Sequence, residues 1–376
     1  MKNIIDYVVD TSALGFTEKP FCEADSLILS QLSYLDYQDV LVRTGLGKSQ
    51  ADLARAIKLR GIRTLSKDTS TPEKNEKLLF AVLESRRFGQ IRASSFVNEI
   101  DADAQKQFSA VTFTLLPDVS YVAFRGTDMT LVGWKEDFNM AYAFPVPAQE
   151  RAVEYLDKVA RTVKGQLLVG GHSKGGNLAI YSAVKCQKSV RDRIAAVYCH
   201  DGPGFKEDIY SDARYKEIAR SIHTTIPTHS VIGLLLQNDD NYRVVDSSSV
   251  GLLQHDPFTW KIKNGDLQFT KRLARDSAIL DRTLDQWLDG LDDEKRKRFV
   301  DTLFEVLGAS EIGTLQELKA NWRKAAGDTL TVMKETDADT RRFILNILGL
   351  FAKVASSNLQ EDLKQRIASL LPKREA

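Results

Sequence analysis

Apolar side chains recur at helical intervals near the N-terminus: Leu27, Ile28, Leu32 and Leu35, within FCEADSLILSQLSYLDYQD (21–39), share one face of a helix. Residues 48–110 mix charged and polar segments with helical patches, of which 75–87 is the clearest. Pro72 stands near the start of that helix, where its missing N–H costs little. From Ala110 the period changes. Residues 111–116 and 120–124 are β-rich and are joined by Pro117 and Asp118, which predicts two adjacent strands. A helical face then returns at Val153, Leu156, Val159, Ala160 and Val163, and Lys164-Gly165 ends it. Residues 166–170 read as a buried strand, 177–186 as a helix and 194–199 as a strand. Strand, helix, strand, helix, strand predicts an α/β protein with a mostly parallel central sheet covered by helices.

Beyond about Asp276 the strand signal fades. Residues 276–306, 314–334 and 337–371 are charged, Leu-rich and helix-periodic, with breaks at Gly308, Gly313 and Gly327. The expected organisation is therefore an α/β domain over 1–275, its N-terminal portion helical to about 108, and a helical C-terminal region over 276–376. Within that region TRRFILNILGLFAKV (340–354) has the spacing of a packing face.

Composition narrows the function classes. Of 376 residues 43% are hydrophobic and 27% charged, the balance of a folded globular chain. Fifty-two basic against 51 acidic side chains leave a net charge of +1, which carries no footprint of nucleic acid or of an anionic membrane. Cys22, Cys186 and Cys199 form no CxxC pair, so neither a disulfide framework nor a structural zinc site is expected, and a reducing compartment is. Asp6 and Asp10 interrupt the N-terminus where a signal peptide would be apolar, and no apolar run approaches the roughly 18 residues of a membrane span. The expectation is a soluble cytoplasmic protein with no integral membrane segment.

The stretch with the most chemistry is LLVGGHSKGG (167–176). A strand runs into Gly171-His172-Ser173-Lys174-Gly175, a G-x-S-x-G, and a helix follows, which is the setting of a nucleophile elbow. Small residues two positions either side let the serine occupy a tight turn. Its hydroxyl then stands clear at the carboxyl edge of the sheet, above a helix N-terminus that favours developing negative charge. The competing reading is a glycine-rich turn with a solvent-facing serine. A serine hydroxyl is a weak nucleophile and needs a base and an orienting acid, in the chain order Ser, acid, His. Of five histidines, His172 lies inside the elbow and should point into packing beside the strand, His200 ends a strand, and His223 and His229 share a loop, IHTTIPTHS. His255, in the downstream loop LLQHDPF, is the chosen base. For the acid Asp201 leads: it follows the strand over 194–199 and precedes Gly202-Pro203-Gly204, at the edge where open α/β sheets bind ligands. Asp239, Asp240 and Asp246 remain alternatives, and a turn-forming aspartate is the competing reading of Asp201. Two backbone donors are needed for the oxyanion: the amide of Lys174 and one from FRGTD (124–128), for which Thr127 is the candidate, with Arg125 and Asp128 pinning the loop or forming a surface ion pair.

FRGTD with Trp134 and Asp137, then GHSKGGNLA, then a distal histidine together resemble the class 3 lipases of the α/β-hydrolase superfamily. With FCEADSLILSQLSYLDY, HDGPGF and QHDPFTW added, the sequence looks closer still to a bacterial lipase-like family of unknown function, over roughly residues 1–265. The resemblance implies the α/β-hydrolase fold, Ser173 as nucleophile, His255 as base, and Thr127 with Lys174 as oxyanion-hole donors. Two departures stand out. Class 3 lipases place the acid in a loop well after the serine, where this chain has Ser230 in PTHSVIGLLL; Asp201, 28 residues after Ser173, resembles instead the placement seen in pancreatic-type lipases. Lys174 also replaces the apolar residue usual after the serine, either as a cation that favours an anionic substrate or as a solvated side chain. The implied activity is cleavage of a carboxylic ester or acyl group of a small ester or lipid, through an acyl-enzyme and without cofactor or metal. The alternative is a catalytically inactive α/β-hydrolase scaffold that serves as a binding or interaction protein. Segments 128–150 (Phe138, Met140, Tyr142, Phe144) and 206–232 are candidate lids, although such aromatics are commonly core. Oligomeric state has no sequence signal.

Overall fold

A computed structural model describes residues 1–38, 50–128, 131–206, 209–230, 232–236, 239, 241–249 and 251–274, and beyond these only 294 and 297. Chain packing divides the molecule into Met1–Asp293 and Glu294–Ala376. The helical region expected over 276–376 lies outside the described residues, apart from those two positions.

The N-terminal segment supplies helices α1 (Ile4–Asp10), α2 (Glu23–Leu32), α3 (Leu53–Arg60), α4 (Ile62–Ser66), α5 (Pro72–Glu84) and α6 (Arg86–Gly89), with the short strand β1 (Gln50–Asp52) before α3. Then come β2 (Arg92–Asp101), β3 (Lys106–Leu116), β4 (Val119–Phe124), α7 (Leu131–Asn139), α8 (Pro147–Ala160), β5 (Gln166–His172), α9 (Lys174–Lys185), α10 (Lys188–Arg191) and β6 (Ile194–His200). Helix α11 (Ala213–Ile218), β7 (Ile222–Pro227), β8 (Tyr242–Val245), β9 (Ile262–Lys263), β10 (Asp266–Leu267) and β11 (Phe269–Thr270) complete the described part. One sheet has the order β1-β2-β3-β4-β5-β6-β7-β8-β11, and β9 and β10 pair as a separate ribbon. Strands β4 to β8 run parallel to one another. Strands β1 to β4 and the last pair, β8 with β11, are antiparallel.

Alternation along the central strands builds three layers. Tyr121 and Ala123 of β4, Leu168 of β5, and Ala196 and Tyr198 of β6 join the apolar cluster that holds α1, α2 and α5. Their neighbours Val122, Phe124, Leu167, Val169, Val197 and Cys199 face the opposite cluster, with α8 and α9. Successive side chains of a strand point to opposite faces, so a strand buried on both sides is apolar at every position, as 167–170 and 196–199 are. The hairpin expected at Pro117-Asp118 forms, with Leu116 opposite Val119. Pro72 is the first residue of α5, where the sequence puts it.

Two expectations are corrected. The N-terminal portion is helical only to Gly89: β2 begins at Arg92 and belongs to the sheet. A register shift between Ser94 and Val97, with Ser95 at φ 56°, breaks the alternation of β2, and only its first half is buried, so no strand period is legible there. His223 lies within β7, opposite Tyr198 of β6, and not in a shared loop with His229.

Helix α2 packs against the central strands β4 to β6. All ten of its residues are buried; the Ser26 and Ser30 hydroxyls meet the Tyr121 hydroxyl at 2.8 and 2.9 Å, and Ser26 Oγ is 2.9 Å from His200 Nε2. Asp25 forms a fully buried pair with Arg87, at 2.6 Å. Among the described residues no helix is long and apolar enough to cross a membrane.

Candidate active site

Ser173 sits between β5 and α9 with φ 59° and ψ −136°, a left-handed conformation in which a side chain other than glycine is strained and which is commonly retained at functional turns. The flanking glycines explain how the turn closes. A Cβ at Gly171 would lie 2.3 Å from the Gly175 carbonyl carbon, and one at Gly175 would lie 2.2 Å from the Phe124 carbonyl oxygen. The Ser173 amide donates to the His200 carbonyl (2.9 Å), which holds the turn over the end of β6. Its side chain is partly exposed.

His255 ends a single 3₁₀ turn, Gly251–His255. Gln254, buried, ties that turn to the end of β7: its Oε1 accepts from the His229 amide (2.8 Å) and the Thr228 hydroxyl (2.9 Å), and its Nε2 donates to the Ser249 carbonyl (2.7 Å). The indole N–H of Trp260, wholly buried, donates to the Gln254 carbonyl (2.7 Å). The His255 ring is 26% exposed, and its Nδ1 donates to Asp201 Oδ2 at 2.6 Å. That bond fixes the tautomer and leaves the Nε2 lone pair as a proton acceptor. Asp201 is fully buried, at φ 50° just past β6, and its other oxygen accepts from the Ser230 hydroxyl (2.5 Å) and the Gly233 amide (3.1 Å). Ser230, at the position where the sequence has no aspartate, thus stands beside Asp201 and donates to it. Among the alternatives, Asp239 accepts from the Tyr215 hydroxyl, Asp246 pairs with Lys261 (2.8 Å), and Asp240 lies outside the described residues.

The Ser173 hydroxyl makes no hydrogen bond among the described residues, so His255 pairs with Asp201 without also pairing with Ser173. His172 stacks on His255, with ring centroids 4.5 Å apart, and donates from Nε2 to the His255 carbonyl (2.8 Å) while its Nδ1 faces the Tyr34 hydroxyl (3.2 Å). Burial, with the His255 ring adding to it, pushes the pKa of His172 well below the ordinary value and keeps the ring neutral.

The 124–128 loop touches the elbow directly. A Cβ at Gly126 would lie 2.6 Å from the His172 carbonyl oxygen and 3.0 Å from Ser173 Cβ, so only glycine allows the approach. The Thr127 hydroxyl donates to Asp137 of α7. Arg125 and Asp128 do pin the loop, but as a largely buried pair at 3.2 Å, with Arg125 also reaching Asn98 at 3.0 Å; the surface ion pair is not what forms.

The model of the Mbeg1-like family matches residues 82–305, more than half of the chain. The chain belongs to the Mbeg1-like family. Among solved structures it is similar to M37 lipase, at 15% identity over 55% of this chain and 68% of that one, with a TM-score of 0.32. It is also similar to the Rhizomucor miehei lipase in its propeptide complex, at 12% identity over 51% of this chain and 66% of that one, with a TM-score of 0.29. No curated protein matches.

In this Mbeg1-like chain both sequence readings of the Lys174 side chain are overturned. It is 1% exposed, so it is not solvated. Its ammonium donates to Glu136 Oε2 (2.9 Å), Gln107 Oε1 (2.9 Å) and the Gln107 carbonyl (3.1 Å), so all three donors are used and none is left for an anionic substrate. Burial pulls the Lys174 pKa down, but Glu136 and Asp137 outweigh it and the value is raised. Burial acts oppositely on Asp137, pushing its carboxyl up to about 6 against Lys174 and Thr127. Of the candidate lid residues, Met140 is buried, and Phe144, partly buried, packs edge-on against Tyr181 and Phe205 at the margin of the core. Sequence reasoning missed Tyr34, Glu136 and Gln254 as parts of the site. Tyr34 lies in SYLDY and Gln254 in QHDPF, both segments already singled out, so position within those motifs was the available signal. Among the described residues no group of three or more His, Cys, Asp or Glu side chains is placed to hold a metal ion.

Proposed function

We propose that this protein is a serine hydrolase that cleaves a carboxylic ester or acyl group of a small ester or lipid through an acyl-enzyme on Ser173. The observation that carries the reading is the 2.6 Å bond from His255 Nδ1 to a buried Asp201, with Ser173 in a positive-φ turn next in the chain to His172, whose ring centroid lies 4.5 Å from that of His255. In the proposed cycle Ser173 Oγ attacks the substrate carbonyl carbon and its proton passes to His255 Nε2. The carbonyl oxygen, now an anion, takes hydrogen bonds from the Thr127 and Lys174 amides. Collapse breaks the bond to the leaving alkoxide, which receives the proton from His255. Water, deprotonated by the same nitrogen, then attacks the acyl-serine, and the serine regains its proton as the acid leaves. Asp201 stabilises the imidazolium formed in each half.

A second reading, a scaffold that binds without cleaving, draws on the Ser173 hydroxyl having no hydrogen bond to His255. Catalytic hydrogen bonds are often long before substrate arrives, which favours the first reading. A fluorophosphonate probe separates them. Wild-type protein is expected to be labelled, and Ser173→Ala and His255→Ala to lose the label; a folded wild type that takes none supports the scaffold. We place this chemistry in the cytoplasm.

A further inference from the structure

The buried Lys174 ammonium belongs to the residue that follows the proposed nucleophile, and the cycle above does not use it. Its surroundings form a closed path. From the elbow, the side chain runs back to Glu136, whose Oε2 also accepts from the Gln107 amide (3.0 Å) and whose Oε1 accepts from the Ala148 amide at the start of α8 (2.9 Å). Glu136 is wholly buried and, so held, cannot follow a moving lysine. The next residue of α7, Asp137, has Oδ1 3.5 Å from the same ammonium, while the Thr127 hydroxyl donates to its Oδ2. Thr127 returns to the elbow through Gly126, packed against Ser173 Cβ. Where α7 passes under the loop it carries Gly133, at which a Cβ would lie 3.0 Å from Thr127 Cγ2 and 3.1 Å from Gln107 Oε1. The two backbone amides assigned to the oxyanion thus belong to residues whose side chains are bound to one helix turn, Lys174 to Glu136 and Thr127 to Asp137.

We propose that Lys174 is a positioning residue of the oxyanion site: through Glu136 and Asp137 its side chain straps the Thr127 loop to the nucleophile elbow and sets the spacing of the two amide donors. The inference rests on the hydrolase reading above. A buried ion pair is weak evidence for stability, because desolvation offsets most of the Coulomb gain, so retention of this one beside the nucleophile calls for a role other than holding the fold. Oxyanion donors act only when aimed at the developing charge; removing one outright costs about 10²–10³ in kcat, and misplacing one costs part of that. Such a loss falls on the transition state and leaves substrate binding alone.

The test is turnover of p-nitrophenyl butyrate by wild type, by Lys174→Met combined with Glu136→Gln, by Asp137→Ala, and by all three changes together. The paired change removes both charges, so no lone buried ion remains; Asp137→Ala cuts the strap at its far end, leaves the 2.9 Å Lys174–Glu136 bond in place, and carries the test should the paired variant not fold. Each is expected to lower kcat about 10- to 100-fold with KM within about twofold, and the triple variant to be no worse than the weaker of the two, because both break one strap. Unchanged kcat in a folded variant, a change confined to KM, or losses that multiply in the triple variant would each overturn the strap. A wild type that takes no fluorophosphonate and cleaves no ester fails the hydrolase reading and the inference falls with it; an active wild type beside fully active variants fails the inference alone.

Discussion

At the scale of single residues, the proposed acid is the point at which this chain departs from the lipase pattern it resembles. The carboxylate comes from the end of β6, and the later position carries Ser230, which donates to it at 2.5 Å. A hydrogen bond to a charged group is worth about 1.5–3 kcal/mol when deleted, so Ser230→Ala is expected to lower kcat by roughly 10-fold or more through a less firmly held Asp201. Asp201→Asn keeps the shape but cannot favour the Nδ1-protonated tautomer of His255, and removing the equivalent charge elsewhere costs about 10⁴ in kcat. The expected ester turnover is therefore 10³- to 10⁴-fold below wild type. Asp246→Asn, at a carboxylate committed to Lys261, should stay within about twofold of wild type. Equal losses at Asp201 and Asp246 would remove Asp201 from the triad.

Among the elements, the elbow is the unit whose failure is easiest to provoke. Gly175 at the start of α9 packs on the backbone of the β4 end, and the Cβ of an alanine would sit 2.2 Å from the Phe124 carbonyl oxygen. Backbone cannot swing away as a flexible side chain can, so Gly175→Ala is expected to cost several kcal/mol in urea unfolding and to abolish fluorophosphonate labelling. Retained stability with retained labelling would mean that β4 and α9 approach less closely than described. The elbow was legible in the sequence because it is local: strand, two glycines, serine and helix lie within twelve residues of one another in LLVGGHSKGGNL. Asp201 was legible for a topological reason, since a residue after a parallel strand arrives at the carboxyl edge whatever the details of packing. The fate of Lys174 was not. Its partners Gln107 and Glu136 are 67 and 38 residues away, and no local period announces that an ammonium will be buried against them. Strand β2 escaped for the opposite reason, a local irregularity at Ser95 that erases the alternation over a segment that still pairs with β3 along most of its length.

For the molecule as a whole, the buried histidines near Ser173 and Asp201 make stability depend on pH. His200 is fully buried at the end of β6, its Nε2 beside Ser26 and its Nδ1 without a hydrogen-bond partner. Burial lowers its pKa from 6.5 to about 4, against the pull of Glu23. The unfolded chain therefore binds a proton at this site at a higher pH than the folded one. Its contribution is fully present above pH 6.5, declines as the pH falls, and is gone by about pH 4. The loss is on the order of 3 kcal/mol at the lower end, since each unit is worth about 1.4 kcal/mol. His172, also buried and also lowered, acts in the same direction. Asp137, raised to about 6, acts in the opposite one: the folded state takes up its proton first, which favours folding as the pH falls through that value. His200→Gln separates these terms, because glutamine keeps a hydrogen-bonding group near Ser26 and does not titrate. Urea unfolding at pH 7.0 and pH 4.5 is expected to show the wild type losing more stability between the two than the variant, by about 2 kcal/mol. An identical loss in both proteins would mean that His200 is protonated or solvated in the folded state, and would undo the packing of α2 over β6 on which the placement of Asp201 depends.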